Sequence, residues 1–185
     1  MNRSHILLVA AFCSLALTSP AQDTNALRTD LGALEAHNSV IIIKGFGPVG
    51  SVSVGTDVIS VRSKESTDVS SGLKNYGLAI ELEGNSLPRE RIYVDYDEID
   101  SLLGAMDYLI KIKYDVTALP GFEASYTTKA GLRVIANSIR RDGAIQHSLQ
   151  YGDSPRIILT SMQLTQLYEL IEQARKNLDA LKNAK

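Results

Sequence analysis

The chain has 185 residues, a formal net charge of −2, and hydrophobic and charged fractions of 44% and 22%, the balance of an ordinary globular domain. So mild an acidic balance excludes strong attraction to DNA, RNA or anionic lipid surfaces, which need net positive charge. A lone cysteine, Cys13, provides neither a disulfide nor a cysteine-built metal site.

The first segment is an address. Arg3 precedes the twelve-residue apolar run Ile6 to Leu17 (ILLVAAFCSLAL), and small Ser19 and Ala21 stand at minus three and minus one from a cut before Gln22. A positive start, a short apolar core and a small-x-small site predict a secretory signal peptide over residues 1–21, cleaved between Ala21 and Gln22. At about 1.5 Å per residue the run reaches about 18 Å. That falls short of a hydrocarbon core of about 30 Å. Cys13 sits inside the run behind Phe12, with no small residue before it, so a lipoprotein signal does not fit. The expected product is exported, periplasmic or extracellular, free of cysteine, and without a transmembrane segment once the signal is removed. Residues 22–185 suffice for one core, since a domain of this size buries about 70% of the surface its unfolded chain exposes.

Residues 22–38 form a lead-in in which Leu27, Leu31 and Leu34 make a short helical stripe. From Ser39 the period changes. Val40 to Lys44, Val49 to Val54 and Val58 to Arg62 are β-branched stretches separated by Gly, Pro and Asp, and they read as strands. The first of these runs into Gly45-Phe46-Gly47-Pro48-Val49-Gly50, which satisfies G-x-G-x-x-G. A dinucleotide site needs those glycines to open a helix. Here GSVSVGTDVISV follows and alternates as a strand, so the expectation is a strand–turn–strand in which glycine permits a bend or bulge at a sheet edge.

Next, YGLAIELEG alternates Leu78, Ile80 and Leu82 against Glu81 and Glu83, and RERIYVD alternates Ile92 and Val94 against Arg89, Arg91 and Tyr93. One pairing puts Ile80 opposite Ile92, Leu78 opposite Val94, Glu81 opposite Arg91 and Glu83 opposite Arg89. A slip of one residue breaks both the apolar face and the charge pairs. Ile99, Leu102, Leu103, Met106, Leu109 and Ile110 then mark an amphipathic helix over about 97–113, with Asp95 and Glu98 spaced as a capping box. After the TALPG break at 117–121 come three alternating stretches: Phe122/Ala124/Tyr126, Leu132/Val134/Ala136 and Ile145/His147/Leu149/Tyr151, with a turn at Arg140 to Gly143. The chain closes with a short strand, a Thr160/Gln163 capping box and a helix over about 161–182.

Two stretches match at an offset of 65 positions: RIYVDYDEIDSLLGAMDYL from Arg91 and RIILTSMQLTQLYELIEQA from Arg156. Ile92 meets Ile157, Ile99 meets Leu164, Leu102 meets Leu167 and Met106 meets Ile171. The expected fold class is therefore α+β: two ββββα pseudo-repeats, about 39–116 and 121–185, in a single domain over 39–185. Antiparallel sheets and two amphipathic helices would share one core. A capped I-x-L-[ST]-x-x-Q-L-x-x-L helix after four strands resembles the PC4, Pur-alpha and whirly group of single-stranded nucleic-acid binders, and that likeness implies an exposed binding face on the sheets. The group's basic, aromatic-lined face is not evident in this sequence. Separately, IKGFGPVGSVSV, YVDYDEIDSLL and FEASYTTK are similar to uncharacterised exported bacterial proteins, a likeness that implies no activity.

Candidate sites are few. Arg89, Arg91 and Tyr93 could stack single-stranded nucleic acid, but Glu81 and Glu83 opposite them neutralise that face, so no nucleic-acid partner is expected. Asp95, Asp97, Glu98 and Asp100 lack the spacing of a calcium loop and read as first-turn helix acids. Beyond the leader the histidines are His37 and His147, and His147 is in phase with core residues. No G-x-S-x-G, S-x-x-K or H-E-x-x-H occurs. The sequence supports no catalytic residue, cofactor or metal ligand. The leading expectation is a non-enzymatic binding domain with a protein or small-molecule partner. The alternative is an envelope or extracellular hydrolase whose carboxylates converge only in the fold. A deep cleft with a buried carboxylate pair would favour the hydrolase, and an apolar surface patch the binding domain.

Overall fold

A computed structural model describes residues 28–84, 89–139 and 143–184. The expected signal peptide with its Ala21/Gln22 cut, Leu27 of the lead-in stripe, residues 85–88, and Arg140 to Asp142 of the expected turn lie outside the described residues. The elements run α1 (Asp30–Glu35), β1 (Ile42–Val54), β2 (Asp57–Asp68), β3 (Lys74–Glu83), β4 (Glu90–Asp95), α2 (Ile99–Lys111), β5 (Glu123–Thr127), β6 (Leu132–Ser138), β7 (Ile145–Tyr151), β8 (Ile157–Leu159) and α3 (Ser161–Asn183). Four strands and a helix therefore occur twice, after a short lead-in helix. The strands form two antiparallel sheets in the orders β1-β2-β3-β4 and β5-β6-β7-β8. The fold is α+β, as the alternation predicts.

The helices are exchanged between halves. α3, from the second half, lies on β1, β2 and β3, whereas α2, from the first, lies on β5 and β6 and against α3. One core results, joining Ile59, Val61, Leu78 and Ile80 of the first sheet to Leu132, Val134 and Leu149 of the second through Met106 and Ile171. The eight offset-matched residues named above are all buried. Each such side chain contributes about 1.5–3 kcal/mol by leaving water, so the halves stabilise one another.

β3 and β4 adopt the predicted register: Ile80 faces Ile92, Leu78 faces Val94 and Glu81 faces Arg91. Thr160 and Gln163 form the predicted capping box at the start of α3. Asp95 and Glu98 do not cap α2, which is a correction. Neither makes a side-chain cap bond there, and a 3-10 turn over Tyr96–Glu98 leads into the helix instead. Asp95 accepts from the backbone N–H groups of Asp30 and Leu31 (2.9 and 3.2 Å), so it caps α1. Glu98 accepts from the backbone N–H of Lys129 at 2.6 Å.

A second correction concerns residues 40–54. Val40 to Lys44 and Val49 to Val54 are not separate strands joined by a turn. From Ile42 onward they are one strand of thirteen residues, β1. The register shifts between Pro48 and Gly50, so Val49 is the extra residue of a β-bulge. Pro48 is tolerated because β1 is an edge strand, where a missing N–H need not break a ladder on both sides. Gly45 and Gly47 sit in the ladder opposite Glu65 and Ser63, and no helix follows, which disposes of a dinucleotide fingerprint. β2 likewise continues past Arg62 to Asp68.

Candidate functional site

The first sheet has two faces, and β1 borders both. Leu78, Ile80, Ile92 and Val94 define the inner face. The cross-strand partners Phe46/Lys64, Lys64/Gly77 and Gly77/Asp95 define the outer one. α1 lies on that outer face, against β2, β3 and β4. Gly77 makes room for it: a Cβ there would come within 2.6 Å of Leu31 Cδ1 and would also strike the Val94 carbonyl. Leu31 and Leu34 are buried as a result.

The last residue of α1, Glu35, enters a charged cluster. Its carboxylate lies 2.5 Å from Lys64 Nζ and 2.7 Å from Lys44 Nζ. It also accepts from Ser66 Oγ (2.7 Å) and Tyr93 Oη (3.1 Å). The Lys64 side chain is 0% exposed. Beyond Glu35, its ammonium meets the rings of Phe46 (4.1 Å) and Tyr93 (4.7 Å), whose negative faces attract the cation. Burial pushes the Glu35 carboxyl up, but hydrogen bonds from Lys44, Lys64 and Ser66 outweigh it and hold the pKa at about 2. Burial lowers Lys64, with Glu35 opposing. Burial and then the Glu35 charge push Tyr93 up to about 12.

Glu81 is another buried carboxylate on this face, which also carries Asp68 opposite Ile42 and Asp95 opposite Gly77. Glu81 is shared by Arg91 at 2.7 Å and Arg62 at 3.5 Å. Arg91 also lies 5.5 Å from the Phe46 ring. Four cations, Lys44, Arg62, Lys64 and Arg91, thus meet two carboxylates, Glu35 and Glu81. The carboxylates are buried, while Lys44, Arg62 and Arg91 remain substantially exposed. What reaches solvent from this cluster on the outer face is positive.

The inner side of β1 is different. α3 is tied to the far end of β1 by Gln163, which donates to Ser53 O at 2.9 Å. It passes Gly50, where a Cβ would come within 2.6 Å of Leu170 Cδ2. Ser63 Oγ then donates to Ala174 O. Beyond Ala174 the helix overhangs two residues with no side chain, Gly45 and Gly47. The space left is a cleft of about 630 Å³, lined by these glycines with Phe46, Ser63, Glu65, Asn177, Ala180 and Leu181. Leu181 at its margin is 50% exposed, Glu65 and Asn177 add polar groups, and Ile43, 59% exposed, precedes Gly45 by two on the same face of β1.

The edge of β1 is also open. Val69 N–H donates to Ile41 O at 3.0 Å, which sets the phase of the ladder. Ile43, Gly45 and Gly47 then bond to β2, and Ile42, Lys44 and Phe46 point their N–H and C=O groups away from the sheet. Among the described residues nothing pairs with that side between Ile42 and Gly47.

Other singled-out residues fall as follows. Arg89 lies 3.7 Å from Glu83, and Tyr93 is half-buried beneath its bond to Glu35, so the Arg89/Arg91/Tyr93 stripe is charge-paired, as the register predicts. Asp97 and Asp95 share Lys129 Nζ (3.0 and 3.5 Å), and Asp100 pairs with Arg175 at 3.0 Å. Glu98 is buried, which raises its pKa, and its second oxygen has no hydrogen-bond partner. It does not line the cleft. His147 is a core residue whose Nε2 lies 3.0 Å from Leu109 O, and His37 is exposed. No group of three or more metal-ligating side chains converges among the described residues. Lys64 is hard to find in the sequence because the β-branched run of β2 ends at Val61, before Arg62. Its signal is the period-two continuation Arg62, Lys64, Ser66.

Comparisons with protein-family models, curated proteins and solved structures return no match to this chain.

Proposed function

We propose that this is an exported, non-enzymatic binding domain that engages a partner at the open edge of β1 and the adjoining cleft. The observation that carries the reading is the pairing of an apolar, glycine-floored cleft of about 630 Å³ with an unpaired strand edge. Such a surface offers shape, apolar area and backbone hydrogen bonds in one place. Export is supported by the charge, apolar core and small-x-small site of residues 1–21. Intact-mass measurement of the protein from its own host should give a chain beginning at Gln22. Retention of Met1 would refute the export reading.

The binding site is tested by placing a photo-crosslinking residue at Ile43 or Leu181, with exposed Tyr108 on α2 as control, in the native host. Adducts at the first two positions and not at the third support the site. Silence at both, or equal labelling at all three, overturns it.

One observation favours the hydrolase alternative: Glu98 is buried with a raised pKa, beside Asp95 and Asp97. That reading requires Glu98→Gln to abolish a hydrolytic activity while leaving the thermal unfolding midpoint in place. Activity unchanged in Glu98→Gln removes it.

A further inference from the structure

We infer that the occupant of this site is an extended peptide segment, added to β1 as a further strand, whose side chains alternate between acidic and apolar. The inference rests on the binding-domain reading above and specifies its partner. Three independent features converge on it.

The first is the backbone. Ile42, Lys44 and Phe46 direct their N–H and C=O groups outward, while Pro48 and the bulge at Val49 end the regular edge. Strand addition draws its affinity from such main-chain pairing and its specificity from alternate side chains. The available edge fits a short segment rather than a whole sheet, because proline and a bulge both stop pairing there.

The second is the cleft on the inner side. Gly45 and Gly47 present no side chains to the face that the end of α3 overhangs. A strand laid beside β1 sends every second side chain to that face. Those side chains would enter a space bordered by Ala180 and Leu181, which suits aliphatic or aromatic groups.

The third is charge on the outer side. The remaining side chains of the added strand emerge beside Lys44 and Phe46, with Arg62 next along the sheet opposite Pro48. Lys44, Arg62 and Arg91 are the exposed charges on this face, whereas its carboxylates near β1, Glu35, Glu81 and Asp68 opposite Ile42, are buried. Glutamate or aspartate is the complementary residue, and lysine or arginine there meets like charge.

The test uses the full mature chain and two fluorescently labelled peptides of ten residues. One alternates Glu with Leu and Val, and the other replaces every Glu with Lys. Polarisation should show the acidic peptide bound at least tenfold more tightly than the basic one, with affinity falling as salt is raised. Gly45→Val should weaken it tenfold or more by filling the cleft. The protein itself should accept this variant, because a Cβ at Gly45 meets only ordinary contacts, 3.8 Å from Glu65 Cβ. Lys44→Pro removes an outward N–H and should abolish binding, whereas Lys44→Ala should only weaken it. Amide exchange should slow at Ile42, Lys44 and Phe46 in the complex.

Equal binding of the two peptides, or full affinity in Gly45→Val, overturns the inference. If neither peptide binds while the Leu181 crosslink persists in the host, the partner is of another kind and the site stands. If both experiments are blank, the site and its partner fall together.

Discussion

Lys64 and Glu35 form a buried ion pair that fastens the lead-in helix to the sheet: Nζ of β2's Lys64 lies 2.5 Å from Oε1 of the last residue of α1. The two ends of the contact are not equivalent. Glu35 keeps Lys44, Ser66 and Tyr93 if Lys64 is replaced, but among the described residues Lys64 has no other carboxylate in contact if Glu35 is lost. Glu35→Ala is therefore expected to cost about 3 kcal/mol or more, the penalty of stranding a buried charge. Lys64→Met, which keeps apolar volume between Phe46 and Tyr93, is expected to cost under about 1 kcal/mol. Urea midpoints of the two variants decide it, and equal losses would contradict the asymmetry.

The same carboxylate sets an acid dependence. Its pKa is held at about 2 in the folded chain, below the ordinary value of 4.5. A depressed carboxylate contributes stability that is present above the unfolded pKa and lost as pH falls through the folded one. The protein should weaken between about pH 4.5 and 2, and Glu35→Gln should lack that part of the decline. Asp68, held at about 2 chiefly by Ser70, titrates in the same window. The readout is accordingly the difference between the parent and Glu35→Gln in melting temperature against pH. A constant difference across the window argues against the assignment.

Glycines along the first sheet should divide into three kinds. Gly45→Val and Gly47→Val place a β-branched residue where contacts are ordinary, and each is expected to change stability by less than about 0.5 kcal/mol. Gly50→Ala meets the flexible tip of Leu170, which can rotate away at modest cost. Gly77→Ala meets the Val94 carbonyl and Leu31, and backbone cannot rotate away, so about 1–3 kcal/mol is expected. Thermal unfolding of the four variants should rank them in this order, with Gly77→Ala lowest.

Asp95 should act on α1 and not on α2. Its carboxylate caps the Asp30 and Leu31 amides, beside Thr29, which accepts from Gly32 N–H at 3.0 Å. Asp95→Ala removes one of these two caps, at about 1 kcal/mol. Hydrogen exchange should quicken over Leu31 to Leu34 and stay unchanged over Leu102 to Leu109. Faster exchange in α2 instead would restore the capping box that the sequence spacing suggested.

Where the sequence was legible, one local pattern had one local consequence. The β3/β4 register followed because a slip would have exposed Ile80 and Ile92 and separated Glu81 from Arg91. Thr160/Gln163 was legible because a capping box is complete within four residues. Asp95/Glu98 carries the same spacing, but longer-range partners claimed both side chains: α1 took Asp95, and the Lys129 backbone took Glu98. The Gly45-to-Gly50 stretch misled for a related reason. Glycine and proline read as punctuation, yet a bulge at an edge strand absorbs both without ending the strand.

The sequence by itself determined the α+β class, the strand-rich stretch ahead of each long helix, the inward residues of the β3/β4 hairpin, and the strand that follows Gly45 to Gly50 where a dinucleotide loop would need a helix. These follow from periodicity and turn chemistry, which act over a few residues. Only the tertiary structure decided that the helices exchange sheets, that α1 brings Glu35 to Lys64, and that α3 overhangs Gly45 and Gly47 to leave a cleft beside an open edge. Those relationships join residues tens to more than a hundred positions apart. They depend on which apolar faces pack together once all are present, and no local pattern records that choice.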